Sequence, residues 1–377
     1  MNRLTPSQVF CLLFMMNSGN LNSIIAALIP TAGFAAVLGL AACIGTALVV
    51  VWMAFKLMRR LPTGDWFADG AAIVGKAPHR TAVAVFLLYF LLRSAIELRG
   101  VSYQVISIYL PKTPDAAITA MFALVAGFAI RYGFMSISYF TQYFALYLFP
   151  AFLIVVGFSF SMPLKYDMII ALLTHLGTQE APKAVLSGIV QAHWLAECIL
   201  ILFVAAKLSD MKKAQKAAIL VLALYFIQAG SHFISILLSF GPSIVSNMAF
   251  PLTEQLRFIR VSDFLENMDP FLLILLFPIF LIKLSVYLYM ATLMTAQLLN
   301  MKDHRPLAFS ITTLSGVLSF QFASRYVEIA AFIQLFWTWF AWFVVCIPIV
   351  YLIAAKLRGI QRRTEAGDQA LTSQPQP

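Results

Sequence analysis

Residues 271–299 form one continuous apolar stretch and read FLLILLFPIFLIKLSVYLYMATLMTAQLL. Its single charged side chain is Lys283. A helix needs about 20 mostly apolar residues to cross the hydrocarbon core of a bilayer, and this stretch is longer than that. It is too long and too apolar for the core of a water-soluble domain. It therefore predicts a transmembrane helix.

Similar stretches recur along the whole chain of 377 residues, of which 61% are hydrophobic and 11% charged. Soluble domains carry about 25% charged residues. We therefore predict an all-α polytopic membrane protein with one transmembrane domain over residues 1–363 and a disordered cytoplasmic tail over 364–377. The ten predicted spans are 8–30, 33–57, 81–110, 116–130, 135–160, 185–208, 217–240, 271–299, 307–322 and 329–356.

The distribution of Lys and Arg predicts the orientation. If the N-terminus is inside, 17 of the 26 Lys and Arg residues fall on the cytoplasmic side and 6 on the outer side, while Arg93, Arg99 and Lys283 fall within spans. This asymmetry is typical of membrane topology. It places both termini in the cytoplasm and explains the net charge of +10 without a nucleic-acid partner. The four cysteines lie in apolar stretches without metal or disulfide spacing and are interpreted as buried hydrophobic residues.

Ten spans divide into two halves of five with opposite topology, at about 1–160 and 185–356, as in inverted-repeat transporters. Spans one and six would then be equivalent, and polar or small residues interrupt both. Broken helices at mid-membrane expose backbone groups that can bind a ligand or an ion. We predict a ligand site for an amino-acid-like molecule at Asn17, Ser18, Gly19 and Asn20 of span one and at Gln191, His193 and Glu197 of span six.

Charged residues within spans are costly and need a partner or a cavity. Lys283 lies near mid-bilayer, where it is either a fixed cation that replaces a bound ion or half of a structural salt bridge. Glu197 either contacts ligand or forms a hydrogen bond between helices, and His193 is either a site residue or a packing residue. Arg93 and Glu97, four residues apart, are interpreted as a structural ion pair.

Two stretches resemble the signature of the spore-germination permease family, within the amino acid–polyamine–organocation superfamily. They are residues 250–266, FPLTEQLRFIRVSDFLE, and residues 282–291, IKLSVYLYMA. The opening residues 4–8, the Leu61–Pro62 loop and Glu197 also fit. The resemblance implies a leucine-transporter-like fold in two inverted five-helix halves. It also implies a nutrient-sensing complex in the spore inner membrane, with an A subunit and a C-subunit lipoprotein as partners.

The chain departs from that family at the start of span five, where Met135, Tyr139 and Gln142 stand at positions that often carry charges. We find no catalytic motif, metal cluster or phosphate-binding loop and expect neither an enzyme nor a cofactor. Three functions stay open: a germinant-receptor subunit, a proton-coupled amino acid or amine transporter, and a structural or channel-forming subunit whose site is vestigial.

Overall fold

The first helix, α1 (Pro6–Ser18), starts at a capping box. The Thr5 side chain accepts a hydrogen bond from the Gln8 N–H at 3.3 Å, and the Gln8 side chain accepts one from the Thr5 N–H at 2.9 Å. The helix ends at Gly19, and α2 (Leu21–Ala32) begins directly after Asn20. The first predicted span is therefore one helix broken in two, with the break at the predicted polar residues.

The computed structural model describes residues 3–160, 165–175, 180–258, 269–322 and 326–360. Apart from one isolated bridge between Leu4 and Leu208, the regular structure in these ranges is helical. A 3-10 turn at Gly33–Ala35 follows α2. The remaining helices of the first half are α3 (Ala36–Met58), α4 (Trp66–Val74), α5 (Lys76–Ile108), α6 (Asp115–Tyr132) and α7 (Phe134–Ser159).

In the second half, span six starts as α9 (Glu180–Gln191) and continues as 3-10 helix over Ala192–Trp194 and Ala196–Lys207. Span ten passes from α15 (Tyr326–Phe332) through a π segment (Ile333–Trp337) into α16 (Thr338–Leu357). The other helices are α8 (Tyr166–His175), α10 (Met211–Phe240), α11 (Pro242–Val245), α12 (Pro251–Phe258), α13 (Asp269–Leu298) and α14 (Ala308–Ser319), the last preceded by a 3-10 turn at Arg305–Leu307.

Within the described ranges, eight helical segments are long and apolar enough to cross a membrane. This count joins α2 and α3 across Gly33, whose positive φ of 53° allows the chain to turn. It also omits α1 and α14, which have 13 and 12 residues. Each of the ten predicted spans is present as a helix or as a pair of helices, so the all-α polytopic fold is confirmed.

Several helix contacts occur twice in the bundle. When each helix of a contact is replaced by its equivalent in the other half of the chain, the resulting pair is also in contact. The α1 helix packs on α10 as span six packs on α3, and α7 packs on α10 as α16 packs on α3. Likewise, α6 packs on α13 as α14 packs on α5. Two further pairs, α5 with α13 and α6 with α14, are their own equivalents. This is the contact pattern of a five-plus-five repeat.

The structure differs from the sequence prediction in several boundaries. Span three begins at Lys76 and span six at Glu180, each five residues earlier than predicted. The short helix α4, between spans two and three, was not predicted. The predicted tail over 364–377 lies outside the described residues, as does part of the signature stretch over 250–266.

The start of span one and the end of span six are joined by backbone hydrogen bonds. The Leu4 N–H donates to the Lys207 carbonyl at 2.7 Å, and the Leu4 carbonyl accepts from the Ser209 N–H at 3.0 Å. Leu4, two residues before α1, is therefore fixed to the last residue of the 3-10 segment and to Ser209 beyond it.

Candidate functional site at the helix breaks

Asn20, at the break of span one, connects four spans. Its side chain is fully buried. The amide Nδ2 donates to the Trp194 carbonyl at 2.8 Å and to Glu197 Oε2 at 2.9 Å, both in span six. The amide Oδ1 accepts from Arg93 NH2 on α5 at 3.0 Å and from Lys283 Nζ on α13 at 2.8 Å. Both donors and both acceptor sites of the amide are thus used.

Arg93 holds the two carboxylates of this cluster. Its Nε donates to Glu197 Oε1 at 2.6 Å, and its NH1 donates to Glu97 Oε2 at 2.9 Å. The guanidinium also lies 4.8 Å from the centre of the Trp194 ring and 5.0 Å from that of Tyr287. The Tyr287 hydroxyl donates to Glu197 Oε2. Arg93 and Glu97 are thus part of a network that reaches beyond their own helix.

Lys283 completes the cluster from α13. Its ammonium lies 3.0 Å from Glu97 Oε1, and its side chain is 1% exposed. The aliphatic stem crosses directly over Gly19, where an added Cβ would lie 2.4 Å from Lys283 Cδ. Gly19 therefore allows the lysine to reach the break. Two cations and two carboxylates meet here, so the formal charges of the cluster balance.

A cavity lies beside this cluster, between the break of span one, α5, α13 and α12. Its empty volume, including the open mouth, is about 820 Å³. Arg93, Glu97 and Lys283 line it on the side of the cluster. Among its lining residues, Gln104 Nε2 donates to Thr253 Oγ1 at 2.9 Å, and the Leu252 N–H donates to Asn22 Oδ1 at 3.1 Å. These two bonds tie α12 to α5 and α2.

The predicted site residues do not all face this cavity. Ser18 and Gly19 are among its lining residues, whereas Asn20 and Glu197 lie behind the lining, in the ion cluster. Asn17 Nδ2 donates to Cys198 Sγ at 3.5 Å. Gln191 accepts from the indole of Trp194 at 3.2 Å, and His193 Nδ1 lies 3.1 Å from the Val190 carbonyl.

Sequence reasoning did not identify several polar residues of the cavity. They are Asn22 and Ser23 in the first turn of α2, Gln104 on α5 and Thr253 on α12. Asn22 and Ser23 directly follow the break, so their position was a usable signal. Gln104 and Thr253 meet only through tertiary packing. In the part of the chain that the structure describes, no group of three His, Cys, Asp or Glu side chains could hold a metal ion.

The fold and the site define a class of membrane protein: a transporter-like bundle of the leucine-transporter fold, with two broken helices meeting at a buried polar centre. Solved structures agree. The nucleobase-cation-symport-1 family transporter Mhp1, closed with bromovinylhydantoin bound, matches with a TM-score of 0.64 at 12% identity, over 99% of this chain and 94% of that chain. MhsT in complex with L-phenylalanine matches with a TM-score of 0.58 at 15% identity, over 94% of this chain and 99% of that chain.

The chain belongs to the spore germination protein family, whose permease profile matches residues 3–327. It is 26% identical to the spore germination protein YfkT of Bacillus subtilis (strain 168) over 65% of this chain and 66% of YfkT. It is 22% identical to spore germination protein XB of Bacillus anthracis over 50% of this chain and 51% of that protein. The chain thus spans less than two thirds of each of these two relatives.

Proposed function

We propose that this chain is the permease-like membrane subunit of a germinant receptor in the spore inner membrane. It binds an amino-acid-like molecule and signals to an A subunit and a C-subunit lipoprotein. Membership of the spore germination family supports the biological role. The observation that carries the binding role is the cavity beside the break of span one, which is lined by charged side chains and by residues of α12. The site is assigned binding, not catalysis.

The cavity suits a zwitterion. The first-turn N–H groups of α2 lack acceptors within an α-helix, and the helix dipole adds partial positive charge at this end. A ligand carboxylate would bind there, beside Asn22 and Ser23. The ligand ammonium would face Glu97, because Glu97 lines the cavity and Glu197 does not.

In this proposal Lys283 replaces the bound cation of an ion-coupled transporter. The ammonium bridges α13 and the break of span one through Glu97 and Asn20. A fixed charge at this place cannot be carried across the membrane. It therefore supports a receptor that changes shape on ligand binding without ion-coupled transport.

Filling the cavity tests the binding role. Gly100 lines it, and an added Cβ there meets no atom within 4 Å, so a Gly100→Leu side chain starts in open space and occupies part of the cavity. Spores with this variant should need at least about tenfold more amino acid for half-maximal germination. The matched control is Gly230→Leu on α10, where a Cβ also meets nothing within 4 Å and which does not line the cavity. Equal responses of both variants and the unmodified chain would contradict the proposal.

Flux measurements separate the receptor from a proton-coupled amino acid or amine transporter, the alternative function predicted from the sequence. Purified chain in sealed vesicles under a proton gradient should bind the amino acid but not accumulate it. Uphill accumulation that is lost in Gly100→Leu would assign the cavity to a transporter. Copurification of a tagged chain with the A subunit and the lipoprotein from spore membranes tests the partners. Binding without these partners would leave the receptor assignment unsupported.

A further inference from the structure

A second site lies away from the ion cluster, on the membrane-facing side of α6, α7 and α13. An apolar groove with an empty volume of about 690 Å³ runs between these helices. Its walls include Ala129 on α6, Ile137 on α7 and Ile282 on α13. Since the three helices are membrane spans, acyl chains are the natural neighbours of this groove.

A charged pocket adjoins the groove. The pocket lies between the end of α6 and the residues that precede α14, and it includes Arg131 and Arg305. Both residues are exposed. Within the described ranges, neither guanidinium has a hydrogen-bond or ion-pair partner. Two unpaired guanidinium groups at the edge of a membrane span are a natural site for an anion.

The other titratable groups of this pocket do not cancel that charge. Asp303 also lines it, and its Oδ1 accepts the Arg305 backbone N–H at 3.0 Å. This one carboxylate offsets only one of the two guanidinium charges. Partial burial lowers the pKa of the neighbouring His304, so this imidazole is neutral at pH 7. The exposed Lys302 next to Asp303 adds another positive charge. The pocket therefore carries net positive charge.

The groove and the pocket adjoin each other, because Phe128 and Tyr132 line both of them. Tyr132 is 73% exposed at the end of α6, a position typical of aromatic side chains at the membrane interface. An apolar groove that adjoins a basic pocket matches a molecule with a hydrocarbon tail and an anionic head. Basic pockets between spans on the cytoplasmic side bind phosphate-containing lipid headgroups.

We propose that this surface binds an anionic phospholipid, with the phosphate between Arg131 and Arg305 and an acyl chain in the groove. The groove reaches Ile282 and Ser285, which flank Lys283 on α13. A bound lipid therefore supports the helix that carries Lys283 into the ion cluster. The site is independent of the germinant site and does not require that the proposed function is correct.

The test uses the full chain in detergent, with thermal unfolding as the readout. Phosphatidylglycerol should raise the unfolding temperature, and phosphatidylcholine with identical chains should do so much less. The double variant Arg131→Gln/Arg305→Gln should need at least about tenfold more phosphatidylglycerol for half of the effect. The matched control is Lys212→Gln/Lys216→Gln, which removes the same charge from two exposed residues at the start of α10.

Two further measurements complete the test. Ala129→Phe fills the groove and keeps both arginines, so it should also weaken the phosphatidylglycerol effect. Inorganic phosphate should not reproduce the stabilisation, because it lacks the tail. The proposal is overturned if the lysine control loses as much as the arginine variant, if phosphatidylcholine acts equally, or if phosphate alone suffices.

Discussion

Four charged side chains meet at the centre of the bundle, and each is compensated by an opposite charge in the same cluster. Removing one partner from a buried ion pair leaves an uncompensated charge and costs about 3–5 kcal/mol. Arg93 bonds to both carboxylates, whereas Lys283 bonds to Glu97 and Asn20. The cluster is therefore a single unit, in which the removal of one charged side chain leaves another without its partner.

Lys283→Met tests this interdependence. It leaves one cation for two carboxylates, so the free energy of unfolding should fall by about 3–5 kcal/mol. The double variant Lys283→Met/Glu97→Gln restores the charge balance and should recover at least half of that loss in thermal unfolding. The germination response should be lost in both variants, because both lack the hydrogen bond from Lys283 to Asn20. Additive losses in the double variant would show that the two residues act independently.

Gly19 tests the close approach of Lys283 to the break. Gly19→Ala places a Cβ 2.4 Å from Lys283 Cδ, so the lysine stem must shift. We expect a loss of about 1–3 kcal/mol, as in overpacked cores, together with a weaker germination response. Gly230→Ala is the control, since a Cβ there meets no atom within 4 Å. If both variants unfold at the same temperature, the lysine does not depend on this glycine.

At the residue scale, the sequence identified the charged members of the cluster but not its geometry. Intramembrane charges are conspicuous, and Arg93 and Glu97 are four residues apart on one helix, so a contact between them was predictable. That Asn20 joins all four spans was not predictable, because its partners Trp194 and Lys283 are 174 and 263 residues away. Such partnerships are fixed by packing, and no local pattern encodes them.

Among the elements, the packing of span six on α3 depends on two glycines. A Cβ on Gly188 would lie 1.9 Å from the Gly39 carbonyl oxygen, and one on Gly39 would lie 2.9 Å from the Ala184 carbonyl oxygen. Ala184 and Gly188 are small residues four apart on α9, and this spacing allows membrane helices to approach closely. Gly188 lies within α9 at this helix contact.

Gly188→Ala should therefore push span six away from α3. The atoms in its way are backbone, which cannot rotate aside, so we expect a loss of at least about 3 kcal/mol, at the upper end for overpacking. Gly45→Ala on α3 is the matched control, because a Cβ there meets nothing within 4 Å. Thermal unfolding of the two variants in detergent makes the comparison. An unchanged unfolding temperature for Gly188→Ala would contradict this close contact.

The whole molecule has the fold that hydrophobic length and the count of spans predicted. Apolar stretches of membrane length are a strong signal, so the all-α class was predictable. The two broken spans were predictable from the polar and small residues that interrupt them. The short α4 was not predicted, because it lies in a connection where length carries no information. The 3-10 form of span six was also missed, since backbone geometry of that kind has no sequence pattern.

Orientation is the prediction that belongs to this scale, and it rests on the 17-to-6 asymmetry of basic residues. Single cysteines should be introduced at Ser243 and at Thr63, both exposed, in a background without the four native cysteines. An impermeant thiol reagent added outside intact cells should label position 243 and spare position 63. Labelling of position 63 alone would contradict the predicted topology and the predicted cytoplasmic position of both termini.

The 3-10 segment Ala196–Lys207 has a mechanical consequence. It has 12 residues, whereas 3-10 runs longer than about four are uncommon and often mark hinges. Because a 3-10 helix rises about 2.0 Å per residue and an α-helix about 1.5 Å, an α-helical form of this segment would be about 6 Å shorter. Leu4 is bonded to the Lys207 carbonyl. Any such shortening would pull the start of span one along the membrane normal. The length of span six would therefore set the position of span one along that axis.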